Sequence, residues 1–124
     1  MDIPHDELVT RLDDPALTIL DVRGSGEFSG EAGYGCCGRQ GHIPGARHLD
    51  VQELASCGSV DEVRALVALP PGVEIVAYCH SGSRSAWAAE ILLDAGYVAR
   101  NYVGSWHAWS HAVAAAADRE LEST

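Results

Sequence analysis

The sequence predicts an α/β fold: a central, mainly parallel β-sheet flanked by helices on both faces. Two short apolar runs, Leu17-Thr18-Ile19-Leu20 and Val73-Glu74-Ile75-Val76-Ala77-Tyr78, have the length and β-branched content of buried strands. Helix-periodic segments alternate with these runs and with two further strand candidates, as crossover connections in a parallel sheet require. The 124 residues fit one domain large enough to bury a core, with no internal repeat.

Taken in order, Ile3, Leu8, Val9 and Leu12 share one side of a short opening helix that begins near Pro4. The first strand, Leu17 to Leu20, ends at Asp21. Residues 24–41 carry seven glycines and read as a long loop with one helical turn at Glu27; a loop of that length in a compact domain is a candidate for function. Ala46 to Leu49 is a second strand, followed by a short helix from Val51 to Ala55. Ser59-Val60-Asp61-Glu62 has the spacing of a capping box, and Val63, Leu66 and Val67 then form a helical apolar face that Pro70-Pro71-Gly72 stops. After the Val73–Tyr78 strand comes a helix opening near Arg84 or Ser85, with Trp87, Ala88, Ile91, Leu92 and Ala95 on its apolar side and Gly96 where a C-cap is wanted. Ala99 to Val103 is a further strand, and a last helix runs from about Ser105 to Ala117. The domain spans 4–116, and the polar residues 117–124 form a tail that frays.

Composition excludes several function classes. The net charge is −10 with no basic run, so neither nucleic acid nor an anionic membrane is an expected partner. All eight basic residues are arginine, which removes Schiff-base chemistry and a P-loop lysine. No apolar run approaches the roughly 20 residues that cross a bilayer. The acidic start, Met1 to Glu7, lacks the regions of a signal peptide, so a cytoplasmic location is expected. The four cysteines, 36, 37, 57 and 79, are too few and too irregular for a disulfide scaffold.

The most informative stretch is Cys79-His80-Ser81-Gly82-Ser83-Arg84-Ser85. A cysteine closes a buried strand, a small-residue loop follows, and a helix opens. Loop N–H groups and first-turn donors should converge on the sulfur, and both favour a thiolate. Gly82 permits the curvature and Arg84 adds a fixed cation. Each charge-assisted bond contributes roughly 1.5–3 kcal/mol, so two or three lower a thiol pKa by several units. The bland alternative is a structural cysteine ending a core strand.

From end to end the chain resembles the rhodanese (sulfurtransferase) family. The matching residues are Ile19-Leu20-Asp21-Val22-Arg23, Glu27-Phe28-Ser29-Gly30, Gly41-His42-Ile43-Pro44-Gly45-Ala46, the cysteine loop, and Gly104-Ser105-Trp106. It looks most similar to the catalytic domain of the two-domain thiosulfate and mercaptopyruvate sulfurtransferases. The resemblance implies that Cys79 takes the sulfane sulfur of thiosulfate or 3-mercaptopyruvate as a persulfide and passes it to cyanide or a thiol, by ping-pong kinetics and without a cofactor. It leaves open a carrier role toward a protein thiol. It also implies catalytic duty for Cys79 and Arg84, and substrate binding by Arg23, His80, Ser81, Gly82, Ser83, Ser85 and Trp106. Asp21 and His42 are structural residues near the site. The related cysteine phosphatases and arsenate reductases place five residues between cysteine and arginine, whereas four separate Cys79 from Arg84. The shorter loop suits one sulfur atom better than a phosphate, and Tyr78 stands where those phosphatases commonly carry histidine.

Donor choice is mixed in the sequence. Arg23 occupies the family's donor-binding arginine position, or else pairs with Glu27. Glu27 replaces a residue that is often basic in that group, and Val103 replaces the usual aspartate. Arg84 and a cationic His80 lean toward thiosulfate. Trp106 is expected as an apolar wall, Trp109 as core or surface, and Cys57 as partly buried and inert. Cys36-Cys37 could accept sulfur from Cys79 or bind a soft metal, but adjacent thiols lack the spaced ligands of a structural zinc site. His107 and His111 stand at i, i+4 without a third ligand in sequence, so no metal is expected.

Overall fold

A computed structural model describes residues 2–112. Four parallel strands form one sheet in the order β2-β1-β3-β4: β1 (Leu17–Asp21), β2 (Arg47–His48), β3 (Glu74–Tyr78) and β4 (Val98–Asn101). Asp2 adds a parallel bridge to Asn101 at the β4 edge. The helices are α1 (His5–Thr10), α2 (Ser25–Ser29), α3 (Val51–Ala55), α4 (Val60–Val67), α5 (Ser83–Asp94) and α6 (105–112). The expected continuation of α6 to 117, and the tail 117–124, lie outside the described residues. Among the described residues no helix is long and apolar enough to cross a membrane.

Strand alternation explains why both faces are covered. Along β3, Ile75 and Ala77 point to one side, and Val76 and Tyr78 to the other. The first side packs with Val51 and Leu54 of α3, Val63 and Val67 of α4, and Ala88, Ala89 and Leu92 of α5. The second packs with Leu8 of α1 and with Trp106 and Trp109 of α6, which places Trp109 in the core. Cys79 has the parity of Ala77, so the sequence directs its side chain to the α5 side. β1 leads outward to β2, whereas β3 leads the other way to β4. The switch in direction lies between β1 and β3, where open α/β sheets bind ligands beyond the strands' carboxyl ends.

Local differences from the sequence expectation have physical causes. Ser59 accepts from the Glu62 amide at 3.2 Å, but the Glu62 carboxylate takes the Gly58 amide at 2.6 Å, so only half of the capping box forms. α4 ends at Val67, before the proline pair, because Ala68 turns to φ 60°. Trp87 is 45 % exposed and not on the buried side of α5. Gly96 follows the α5 cap residue Ala95 at φ 96°, as a C-terminal glycine does.

Leu20, fully buried in β1, tests the packing. Leu20→Ala should lower unfolding free energy by about 2–5 kcal/mol, while Val9, 45 % exposed and not on the buried side with Leu8 as the sequence suggests, should tolerate Val9→Ala within about 0.5 kcal/mol. Urea titrations of the two variants check this, and equal effects would contradict the assignment of faces.

Candidate active site

Cys79 follows β3 directly and is 1 % exposed. Gly82 begins α5 at φ 103°, and a Cβ there would lie 2.7 Å from the Val103 carbonyl oxygen. Conformation and space both demand glycine. That turn points the Gly82 amide at the Cys79 Sγ, 3.1 Å away. The Ser85 hydroxyl lies 3.4 Å from the same sulfur, an ordinary O–H···S length, and 3.2 Å from the Gly82 carbonyl, long for O–H···O. Burial pushes the thiol up, but the Ser85 hydroxyl and the amides of Ser85, Gly82 and Ser81 outweigh it, and the pKa falls below the ordinary thiol value.

A supporting frame holds the loop. The first-turn amides of α6, from Trp106 and His107, donate to the carbonyls of Cys79 and His80 at 2.8 and 3.0 Å. Ser105, at φ 53°, accepts from the Cys79 amide at 3.1 Å and gives its own proton to the Tyr102 carbonyl at 2.7 Å. Asn101 Nδ2 donates to the Gly82 carbonyl at 3.2 Å. The loop carbonyls are thereby occupied from outside, which leaves its amides for the sulfur.

The arginines are both engaged. Arg84 makes a two-pronged pair with Glu27 at 3.0 and 3.1 Å. Arg23 is 1 % exposed and pairs with Asp21, not Glu27, at 2.6 Å, while its Nη2 also donates to the Gly41 carbonyl. The Arg23 guanidinium lies over the ring of the enclosed Trp106, 5.1 Å from its centroid. Trp106 Nε1 donates to the Arg39 carbonyl. Asp21 also accepts the Arg23 amide at 3.0 Å and holds the chain at the β1 end. His42 Nδ1 meets the Phe28 carbonyl at 2.8 Å and its ring stacks on Phe28, fixing the turn before Pro44.

His80 is half-buried and stacks on Tyr34 at 4.0 Å between centroids. Burial and neighbouring His107 hold its pKa below the usual imidazole value. This shift weakens the cationic contribution expected of His80 from sequence. Ser81 and Ser83 are exposed at the rim, and Gly82 and Ser85 are buried under the sulfur. Cys57, half-exposed, donates to the Glu53 carbonyl at 3.4 Å, away from this site.

Sequence reasoning missed two contributors. Asn101 ends a strand and gave no signal; only the β3–β4 register brings it to Gly82. Tyr34 had one: an aromatic side chain in a glycine-rich loop needs a surface to cover, and His80 supplies it.

Fold and loop together define a parallel α/β domain with an activated, nearly enclosed cysteine at the sheet's switch point. The profile of the Rhodanese-like domain matches residues 4–112, and the chain belongs to that family. It is similar to the thiosulfate sulfurtransferase of Corynebacterium glutamicum, 35 % identical over 111 residues, covering 78 % of this chain and 36 % of that protein. It is also similar to the sulfur carrier protein TtuD of Thermus thermophilus, 34 % identical over 113 residues, covering 77 % and 39 % respectively. The human single-domain sulfurtransferase TSTD1 superposes with a TM-score of 0.64 at 29 % identity, covering 87 % of this chain and 93 % of that one. The chain thus spans well under half the length of the curated relatives named here.

The Ser85 hydroxyl is the strongest side-chain donor to the sulfur, so Ser85→Ala should raise the Cys79 pKa. The pH dependence of iodoacetamide alkylation reads it: the rate should fall as pH drops through the thiol pKa, with the midpoint at higher pH in Ser85→Ala. Ser105→Ala should move the midpoint less, because its proton is committed to Tyr102. The reverse order would contradict the assigned donors.

Proposed function

We propose that this domain is a sulfurtransferase that carries sulfane sulfur as a persulfide on Cys79, with thiosulfate as donor and a thiophile such as cyanide or a thiol as acceptor. The observation that carries this reading is the Cys79 sulfur held among convergent amides and the Ser85 hydroxyl, with its pKa lowered despite burial.

In the first half-reaction the Cys79 thiolate attacks the sulfane sulfur of thiosulfate. The new S–S bond forms as the donor's S–S bond breaks, and sulfite leaves with the electron pair. In the second, cyanide attacks the outer sulfur, thiocyanate departs, and the electron pair returns to Cys79 as thiolate. No external base is required, because the thiol is already acidic. The amides of Ser81, Gly82 and Ser85 stabilise negative charge on the Cys79 sulfur. The four-residue spacing between Cys79 and Arg84 suits one sulfur atom better than a phosphate, which favours this reaction over phosphoryl chemistry.

The cation that the donor's anionic end can reach is Arg84, partly exposed and partly neutralised by Glu27, whereas Arg23 is enclosed with Asp21. The lowered His80 pKa weakens one reason to favour thiosulfate, and Arg84 remains the other. A carrier role is the second reading, supported by the similarity to a protein named as a sulfur carrier.

Intact mass after incubation with thiosulfate should show a gain of one sulfur atom that cyanide removes and that Cys79→Ser abolishes. A gain retained by Cys79→Ser would refute the proposal. Thiocyanate release that is slow with cyanide, yet fast sulfur transfer to a protein thiol, would select the carrier reading. Glu27→Gln should free the Arg84 charge and lower KM for thiosulfate by about 2–5-fold, the size of a partly exposed ion-pair interaction, with kcat little changed. A raised KM would show that the Glu27–Arg84 pair itself shapes the donor site.

A further inference from the structure

The glycine-rich loop and α6 bring together four metal-ligating side chains that the sulfur chemistry does not use. The Sγ atoms of Cys36 and Cys37 and a ring nitrogen each from His80 and His107 all lie within 4.8 Å of one another. Cys36 Sγ is 3.6 Å from His80 Nε2, already the spacing of two donors on one small cation. From sequence, neither the adjacent thiols nor the His107–His111 spacing offered a complete set. The fold supplies it by a different combination, taking His107 from α6 and His80 from the loop after Cys79.

We propose that Cys36, Cys37, His80 and His107 form a zinc site at the rim of the active-site loop. Two thiolates and two imidazoles are the donor set of tetrahedral zinc, with bonds of about 2.0–2.3 Å that place donors some 3.3–3.8 Å apart. Contraction of the present cluster by about an ångström reaches that geometry. The two thiol protons pass to solvent on binding, so the assembled site is electrically neutral. Cys36 is exposed and the other three side chains are half-buried, which gives a cation an entry path.

The surroundings hold the donors in place. His111 Nε2 meets the Cys36 carbonyl at 2.6 Å, the Ser110 hydroxyl accepts the Gly38 amide at 3.0 Å, and the Arg39 carbonyl accepts from Trp106. These bonds fasten the loop to α6 at Cys36 and just after the cysteine pair. A Cβ at Gly38 would lie 2.7 Å from the Ser110 carbonyl oxygen, so the close seat depends on glycine. Tyr34 stacked on His80, and His107 edge-on to His80 at 5.7 Å, set the imidazole orientations as outer-shell contacts do in metal centres. Cys79 stands outside the set, its sulfur turned toward Gly82 and Ser85.

The test is a zinc titration of the reduced, full chain against a chromogenic chelator, with cobalt(II) as the spectroscopic probe. The expected result is one zinc per chain, and tetrahedral cobalt bands with thiolate-to-cobalt charge transfer. Cys36→Ser, Cys37→Ser and His107→Ala should each weaken zinc binding by at least about 10–100-fold, the loss that removal of a mere outer-shell partner causes. Cys79→Ala should bind zinc as the parent chain does. Circular dichroism confirms that each variant is folded, and solvent-facing Cys36 makes its serine variant the safest. Zinc binding that survives Cys36→Ser combined with Cys37→Ser, cobalt bands that vanish in Cys79→Ala, or no zinc taken up by the parent chain would each overturn the proposal. None of these readouts depends on sulfur transfer, so the two proposals fail separately.

Discussion

A negative charge on a buried sulfur is tolerable only if donors replace the water it has lost, and the structure around Cys79 answers that requirement. The sulfur is almost wholly enclosed, which by itself favours the neutral thiol. Amide N–H groups and the Ser85 hydroxyl reverse the balance. Distant features serve this one arrangement: the left-handed Gly82, the close Val103 carbonyl behind it, and the α6 amides that occupy the loop's carbonyls. The carbonyls of Cys79, His80 and Gly82 meanwhile find donors on α6, α5 and Asn101.

The electrostatics of the site are more restrained than its arginines suggest. Asp21 and Arg23 form an enclosed pair at the end of β1, 0 % and 1 % exposed. Such a pair contributes little net stability, but loss of one partner leaves a stranded charge that costs about 3–5 kcal/mol. Its value lies in placement: it fixes the β1 end beside Cys79 and presses the guanidinium against Trp106. Glu27 and Arg84 form a second, more exposed pair between α2 and α5. Positive potential at the pocket therefore comes from tempered cations and from amide dipoles, inside a chain whose overall charge is −10.

The sheet and the nucleophile loop were legible in the sequence because each rests on local rules. Val73–Tyr78 is β-branched and apolar, Gly82 is the one residue that fits the turn, and the alternating parity of β3 sends Cys79 toward α5. What escaped depends on contacts between residues far apart in the chain. For Arg23 the sequence offers either the donor-binding position or a pair with Glu27, four residues on; burial at the β1 end selects Asp21 as its partner instead. The sequence offers His80 as a cation of the loop, whereas its environment is made by Tyr34 and His107 from elsewhere. The donor set of Cys36, Cys37, His80 and His107 was invisible for the same reason: its members span three separate elements.

The central claim is that the amides and hydroxyl around position 79 make its thiol more acidic than an ordinary free thiol, despite burial. The ultraviolet absorbance of the thiolate, recorded against pH as the difference between the parent chain and Cys79→Ser, tests it directly. The account predicts a single titration step with a midpoint below that of an ordinary free thiol. A step at or above the ordinary thiol value would mean that burial prevails at Cys79, and would contradict it.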